Sequence, residues 1–157
     1  GVTSATNTAL LLRQANDAYY FLARTGDPAP GYDNPSVKLA KFSIVEAEPA
    51  NGHYAILATL TGTSSASNQA LFKGQTSLGN DGPGQAQRLP KRILRKGQTY
   101  STASTPSALI KTISLNPAPD TTGAGGRGQR QIINDDGQIL LTIGSSTAVS
   151  ELVLLTP

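Results

Sequence analysis

The chain holds a single histidine, His53, and no cysteine. Acyl-transfer chemistry would need that imidazole beside an acid and an activated nucleophile, and no nucleophile elbow occurs near it. A zinc site would need further His or Cys ligands, which the chain does not contain. His53 directly follows Asn51-Gly52, a strong turn signal, so it reads as a strand-start residue at the rim of a sheet. Glu46 and Glu48 stand two apart, which puts both on one face of a strand. Carboxylate pairs act as acid and base when their surroundings separate their pKa values, the chemistry of a small hydrolase. Pro49 and the turn follow at once, so these carboxylates are expected at a solvated strand end.

Asn134-Asp135-Asp136-Gly137 offers oxygen ligands for a calcium ion. The loop spacing of an EF-hand and its closing glutamate are missing, and turn chemistry accounts for all four residues. Gly123-Ala124-Gly125-Gly126-Arg127-Gly128 has the glycine content of a phosphate loop. It lacks the Gly-Lys-Ser/Thr ending and the strand-loop-helix setting. No catalytic residue, metal site or cofactor site is therefore expected.

Charge placement is the least ordinary feature. Arg88, Lys91, Arg92, Arg95 and Lys96 place five of the thirteen basic residues in nine positions. No acidic residue occurs between Asp81 and Asp120, so that stretch carries six uncompensated positive charges. Arg127 and Arg130 extend it. Such a block neutralises phosphates with steep salt dependence, meets an acidic surface of a partner, or guards an edge strand against unwanted pairing. Leu89, Ile93 and Leu94, interleaved with the charges, mark the segment as folded. Tyr100 is the only aromatic residue nearby, so base stacking along a single strand is not expected.

The elements that must position these residues are mainly β. At 157 residues the chain fits one domain. Hydrophobic residues make up 38% and charged residues 15%, so low charge and clustered apolar residues set it apart from disordered chains. No cysteine means no disulfide framework, and no apolar run approaches the roughly 20 residues needed to cross a membrane as a helix. Residues 8–12 are too few, and too close to Asn16 and Asp17, to form an intact signal peptide.

Residues 7–24 carry Leu11, Ala15, Ala18, Phe21 and Leu22 at helical spacing, with Thr6 or Asn7 as a cap and Gly26 as a stop. They predict one N-terminal helix or arm. The rival is a strand over 18–23, favoured by Tyr19-Tyr20-Phe21. Three prolines and two glycines make 25–36 a connector, so the expected organisation is an N-terminal helix or arm with its connector over 1–36 and a β domain over 37–157.

Strands are predicted over 38–45, 53–61, 69–72, 107–115, 129–133, 138–143 and 148–155, with a basic segment between the third and fourth. Asn134–Gly137 turns the hairpin between 129–133 and 138–143. Glycine-rich 74–87 and Pro/Gly-rich 116–128 read as loops. A single sandwich, jelly-roll or small barrel of about seven or eight short antiparallel strands is expected.

Composition and assembly logic then point to a non-enzymatic, self-assembling structural subunit of a virus or phage particle: a coat, capsid-decoration or tail component located in the virion. Its partners would be other copies of itself and other structural proteins, with nonspecific nucleic-acid contact at the basic block and no membrane. The apolar C-terminal run supplies Val149, Leu152, Val153, Leu154 and Leu155 as candidate subunit contacts. The alternatives are an extracellular or cell-surface filament subunit that assembles by strand addition, and a small hydrolase or carbohydrate-binding module built from scattered residues.

Overall fold

The computed structural model describes residues 3, 6–13, 19–48, 50–76, 89–101, 107–115, 132–147 and 150–156. These contain ten strands: β1 (Ala9–Arg13), β2 (Tyr19–Arg24), β3 (Lys38–Ala47), β4 (His53–Thr61), β5 (Gln69–Gln75), β6 (Lys91–Arg95), β7 (Thr99–Tyr100), β8 (Ala108–Ser114), β9 (Ile139–Ser145) and β10 (Ser150–Leu155). Every ladder is antiparallel.

Three β layers result. The central sheet has the order β3-β4-β5-β6, the C-terminal sheet the order β10-β9-β8-β7, and β1 and β2 form a hairpin of their own. The central layer follows from β4, whose run Tyr54-Ala55-Ile56-Leu57-Ala58 is buried without a break. A strand covered on both faces loses the in-out alternation and reads as a continuous apolar run. Tyr54, Ile56, Ala58 and Leu60 pack on one side with Phe72, Leu39, Val37, Ala29 and Ala23. Ala55 and Leu57 pack on the other with Leu71, Leu94, Ile110, Leu141 and Ile143.

The two four-stranded sheets meet at a corner between β6 and β7. Lys96 N–H donates to the Gln69 carbonyl at 2.9 Å, still within the central sheet. One residue later, Gly97 N–H donates to the Ile110 carbonyl at 2.8 Å, and Ile110 N–H returns a bond to the Gln98 carbonyl at 2.9 Å. The chain thus changes sheets within one residue, and Gly97 makes the bend at φ +80°, where a Cβ is disfavoured. Strands that switch sheets at a bend are a standard way to make such a corner, and here the result is a half-barrel.

The N-terminal helix expected over 7–24 is corrected: residues 9–13 and 19–24 are strands, paired with Leu11 opposite Phe21 and Arg13 opposite Tyr19. An isolated hairpin is marginal in water. This one is held by Leu10 and Leu22, which pack onto the central sheet, and by Thr25 N–H donating to the Thr8 carbonyl at 2.9 Å. The ten strands among the described residues are six of the expected set, this hairpin, the basic segment as β6 and the short β7.

The turn at 134–137 is present. Gly137 N–H donates to the Asn134 carbonyl at 2.8 Å, and Gln138 N–H to Asn134 Oδ1 at 2.8 Å. Beyond it, Ile133 and Ile139 form one bridge. Most of the strand expected at 129–133 lies outside the described residues.

Candidate assembly edge and basic strand

The basic segment forms β6, at the edge of the central sheet. A β-bulge splits the charges: the β5–β6 register shifts between Leu71 and Phe72, so Leu94 and Arg92 face opposite sides of the sheet. Leu94 is buried in the core between the sheets, while Arg92 lies over the Tyr32 ring with 4.2 Å from guanidinium carbon to ring centroid. Lys96 Nζ donates to the Ser65 carbonyl at 2.8 Å. Lys91 is exposed and Arg95 half-buried. Two of the basic groups are therefore engaged by the protein itself. Arg88, Arg127 and Arg130 lie outside the described residues, as does the Gly123–Gly128 loop.

The residues with acid-base potential gather where the β3-β4 turn, the end of β5 and the 134–137 turn meet. Glu48 is fully buried, which corrects the solvated strand end expected for it. Its carboxylate accepts the backbone N–H groups of Ala50 and Asn51, the latter at 2.8 Å, and so caps the turn from within. Asn51 Nδ2 donates to the Asp135 carbonyl at 2.9 Å, and Lys73 Nζ to the Gly137 carbonyl at 2.6 Å. Burial lowers the Lys73 ammonium below the ordinary lysine value and pushes the Tyr54 phenol up.

His53 opens β4 as expected; its Nδ1 is buried without a hydrogen-bond partner among the described residues. It lies beside Gly137, since a Cβ built there would stand 2.8 Å from Nδ1 and 2.6 Å from Lys73 Nζ. This constellation joins two turns through carbonyls and backbone amides. Its one buried carboxylate is already committed to the turn, and no group of three metal-ligating side chains occurs among the described residues.

Removing the Glu48 carboxylate should be costly, because bonds to a charged acceptor are among the stronger ones. Glu48→Ala is expected to lose about 2 kcal/mol of unfolding free energy, read from urea midpoints. An unchanged midpoint would show that water replaces the carboxylate at no cost.

The sheet edges differ in how they are guarded. Natural sheets blunt open edges with lysines, short strands or bulges. On β3 the exposed residues include Lys38 and Lys41, β6 carries Lys91, Arg92 and Arg95, and β7 is two residues long. β10 has none of these: it is Ser-Glu-Leu-Val-Leu-Leu, pairs with β9 alone among the described residues, and shows no register break. Val153 and Leu155 turn inward onto the core. Leu152 and Leu154 turn outward at 71% and 54% exposure. Leu140 on β9, directly opposite Leu154, is also exposed and completes an apolar face. Of the candidate subunit contacts, Leu152 and Leu154 are thus on the surface and Val153 and Leu155 half-buried. Val149 lies outside the described residues.

A second apolar face has no counterpart in the sequence reading. Leu11, Tyr19 and Phe21 project from the outer side of the N-terminal hairpin. The hairpin and the C-terminal sheet cover opposite faces of the central sheet, so these two exposed faces point away from each other. Alternation within 9–13 and 19–24 was the signal for them, hidden because nearly every position there is apolar. No family model, curated protein or solved structure matches the chain.

Proposed function

We propose that this chain is a structural subunit that assembles with copies of itself, using the open edge of β10 and the leucines beside it as its main contact. The observation that carries the reading is the contrast among the edges of the two four-stranded sheets: β3, β6 and β7 are guarded or very short, and β10 is a regular, apolar strand without a positive charge. A second copy adding a strand there would extend the sheet through backbone hydrogen bonds along β10 and bring its side chains beside Leu152 and Leu154. The outward face of the hairpin offers a second contact in the opposite direction, and two contacts per copy are what closed rings or extended arrays require. A coat, capsid-decoration or tail component of a virus or phage particle, built by repeating one small β subunit, is the role we assign to it.

The test is Leu152→Lys combined with Leu154→Lys, analysed by light scattering and electron microscopy. Both side chains are exposed in the single chain, so the far-ultraviolet β signal should persist. Complete burial of a leucine is worth about 1.5–3 kcal/mol. Loss of two partial burials should weaken association about a hundredfold. An unchanged assembly state in the folded double variant would remove β10 from the interface.

A further inference from the structure

The corner between the two sheets holds a cleft of about 430 Å³, and its geometry points to a binding site for a phosphate group. Its walls come from segments far apart in sequence: Thr59 at the end of β4, Asn68 and Gln69 at the start of β5, Lys96 at the bend, and Lys111 and Thr112 on β8. The back wall is fixed, because Gln69 Oε1 accepts the Ile113 N–H across the two sheets at 3.1 Å.

A β-bulge brings the second lysine into place. The β8–β9 register shifts between Ile110 and Thr112, so that Ile110 pairs with Ser145 and Thr112 with Gly144. Burial along β8 records the consequence: Ile110 and Ile113 are buried, and the consecutive residues Lys111 and Thr112 are both exposed. A regular strand would have sent one of them inward. Bulges re-aim side chains in this way, often beside binding sites.

The chemistry of the walls selects the ligand. Two lysines, together with residues that bear hydroxyls and side-chain amides, line the cleft, and none of its described lining residues is acidic. Lys96 commits one donor to the Ser65 carbonyl. An ammonium has three donors, so this bond anchors the group while leaving hydrogens for a ligand. Lys111 forms no ion pair among the described residues. The described lining contains no aromatic ring and so offers no stacking surface on which a base would rest. An oxyanion contacted by two cations and by neutral donors fits these walls, and phosphate carries the required charge at neutral pH.

The site draws no described lining residue from β10, which β9 separates from β8. Its test is titration of the full chain with inorganic phosphate, a sugar phosphate and a short oligothymidylate, followed by amide chemical shifts and calorimetry at low salt. Saturable binding is expected, with shifts at Gln69, Lys96 and Thr112, weakening on addition of salt. Lys111→Ala should lower affinity about tenfold in the folded protein, and Lys111→Arg should keep most of it. Equal affinity for the small phosphates and the oligothymidylate would identify a free phosphoryl ligand. Affinity that appears only with the oligothymidylate and grows with its length would identify a strand's phosphodiester. No saturable binding of any of the three, or binding unaffected by Lys111→Ala, would overturn the site.

Discussion

Phe72→Ala is expected to remove about 3–5 kcal/mol of unfolding free energy, measured by chemical denaturation. Phe72 is 1% exposed and lies on β5, paired with Ile56 of β4 and Arg92 of β6. It is among the largest side chains of the cluster that joins the N-terminal hairpin and its connector to the central sheet. Truncation removes its transfer free energy and leaves a cavity that the surrounding strands, fixed by ladders, cannot close. Domains of this size are stable by only about 5–15 kcal/mol, so the loss is a large share of the total. A cost below about 1 kcal/mol would mean that the hairpin layer moves in to fill the space and is not rigidly docked.

Gly62→Ala should be nearly as damaging although it adds a single methyl group. Gly62 follows β4 with φ +74°, a conformation that side chains rarely adopt. A Cβ there would stand 1.8 Å from the Ser36 carbonyl oxygen and 3.1 Å from the Val37 nitrogen. Both atoms are backbone, so relief requires the connector to move away from the central sheet. Val37 is buried in the cluster around Phe72, which ties that movement to the core. Left-handed backbone and steric overlap together are expected to cost about 3 kcal/mol, seen as a fall in the denaturation midpoint. A variant as stable as the parent would show that residues 36 and 37 are loosely held.

Much of the β body was legible because its strands combine apolar runs with unambiguous turns. His53–Thr61 begins after Asn51-Gly52 and matches the observed β4 end to end, and the turn at Asn134–Gly137 holds the bonds its residue types imply. The N-terminal hairpin was not legible. Leu10, Leu11, Leu12, Tyr19, Tyr20, Phe21 and Leu22 are large and apolar at successive positions, so periods of 2 and 3.6 fit equally well. The strand preference of Tyr19-Tyr20-Phe21 and docking on the central sheet decide between them.

Site features were legible in type and not in place. The basic run was plain, yet its division among an aromatic ring, a carbonyl and solvent depends on the bulge in the β5–β6 pairing. The apolar character of Leu152–Leu155 was visible, whereas its position at a sheet edge follows from β10 pairing with β9 alone among the described residues. Lys96 and Lys111 share a cleft only because the chain changes sheets at Gly97 and β8 bulges at Lys111, which no local pattern encodes.

Self-association through β10 is tested most directly by hydrogen exchange of its outward amides as the protein is concentrated, with mass followed by sedimentation velocity. Exchange over Ser150–Leu155 should slow as larger species form, while the edge amides of β3 should change little. Contradiction would be a single-chain mass at every concentration, with β10 exchanging at one constant rate.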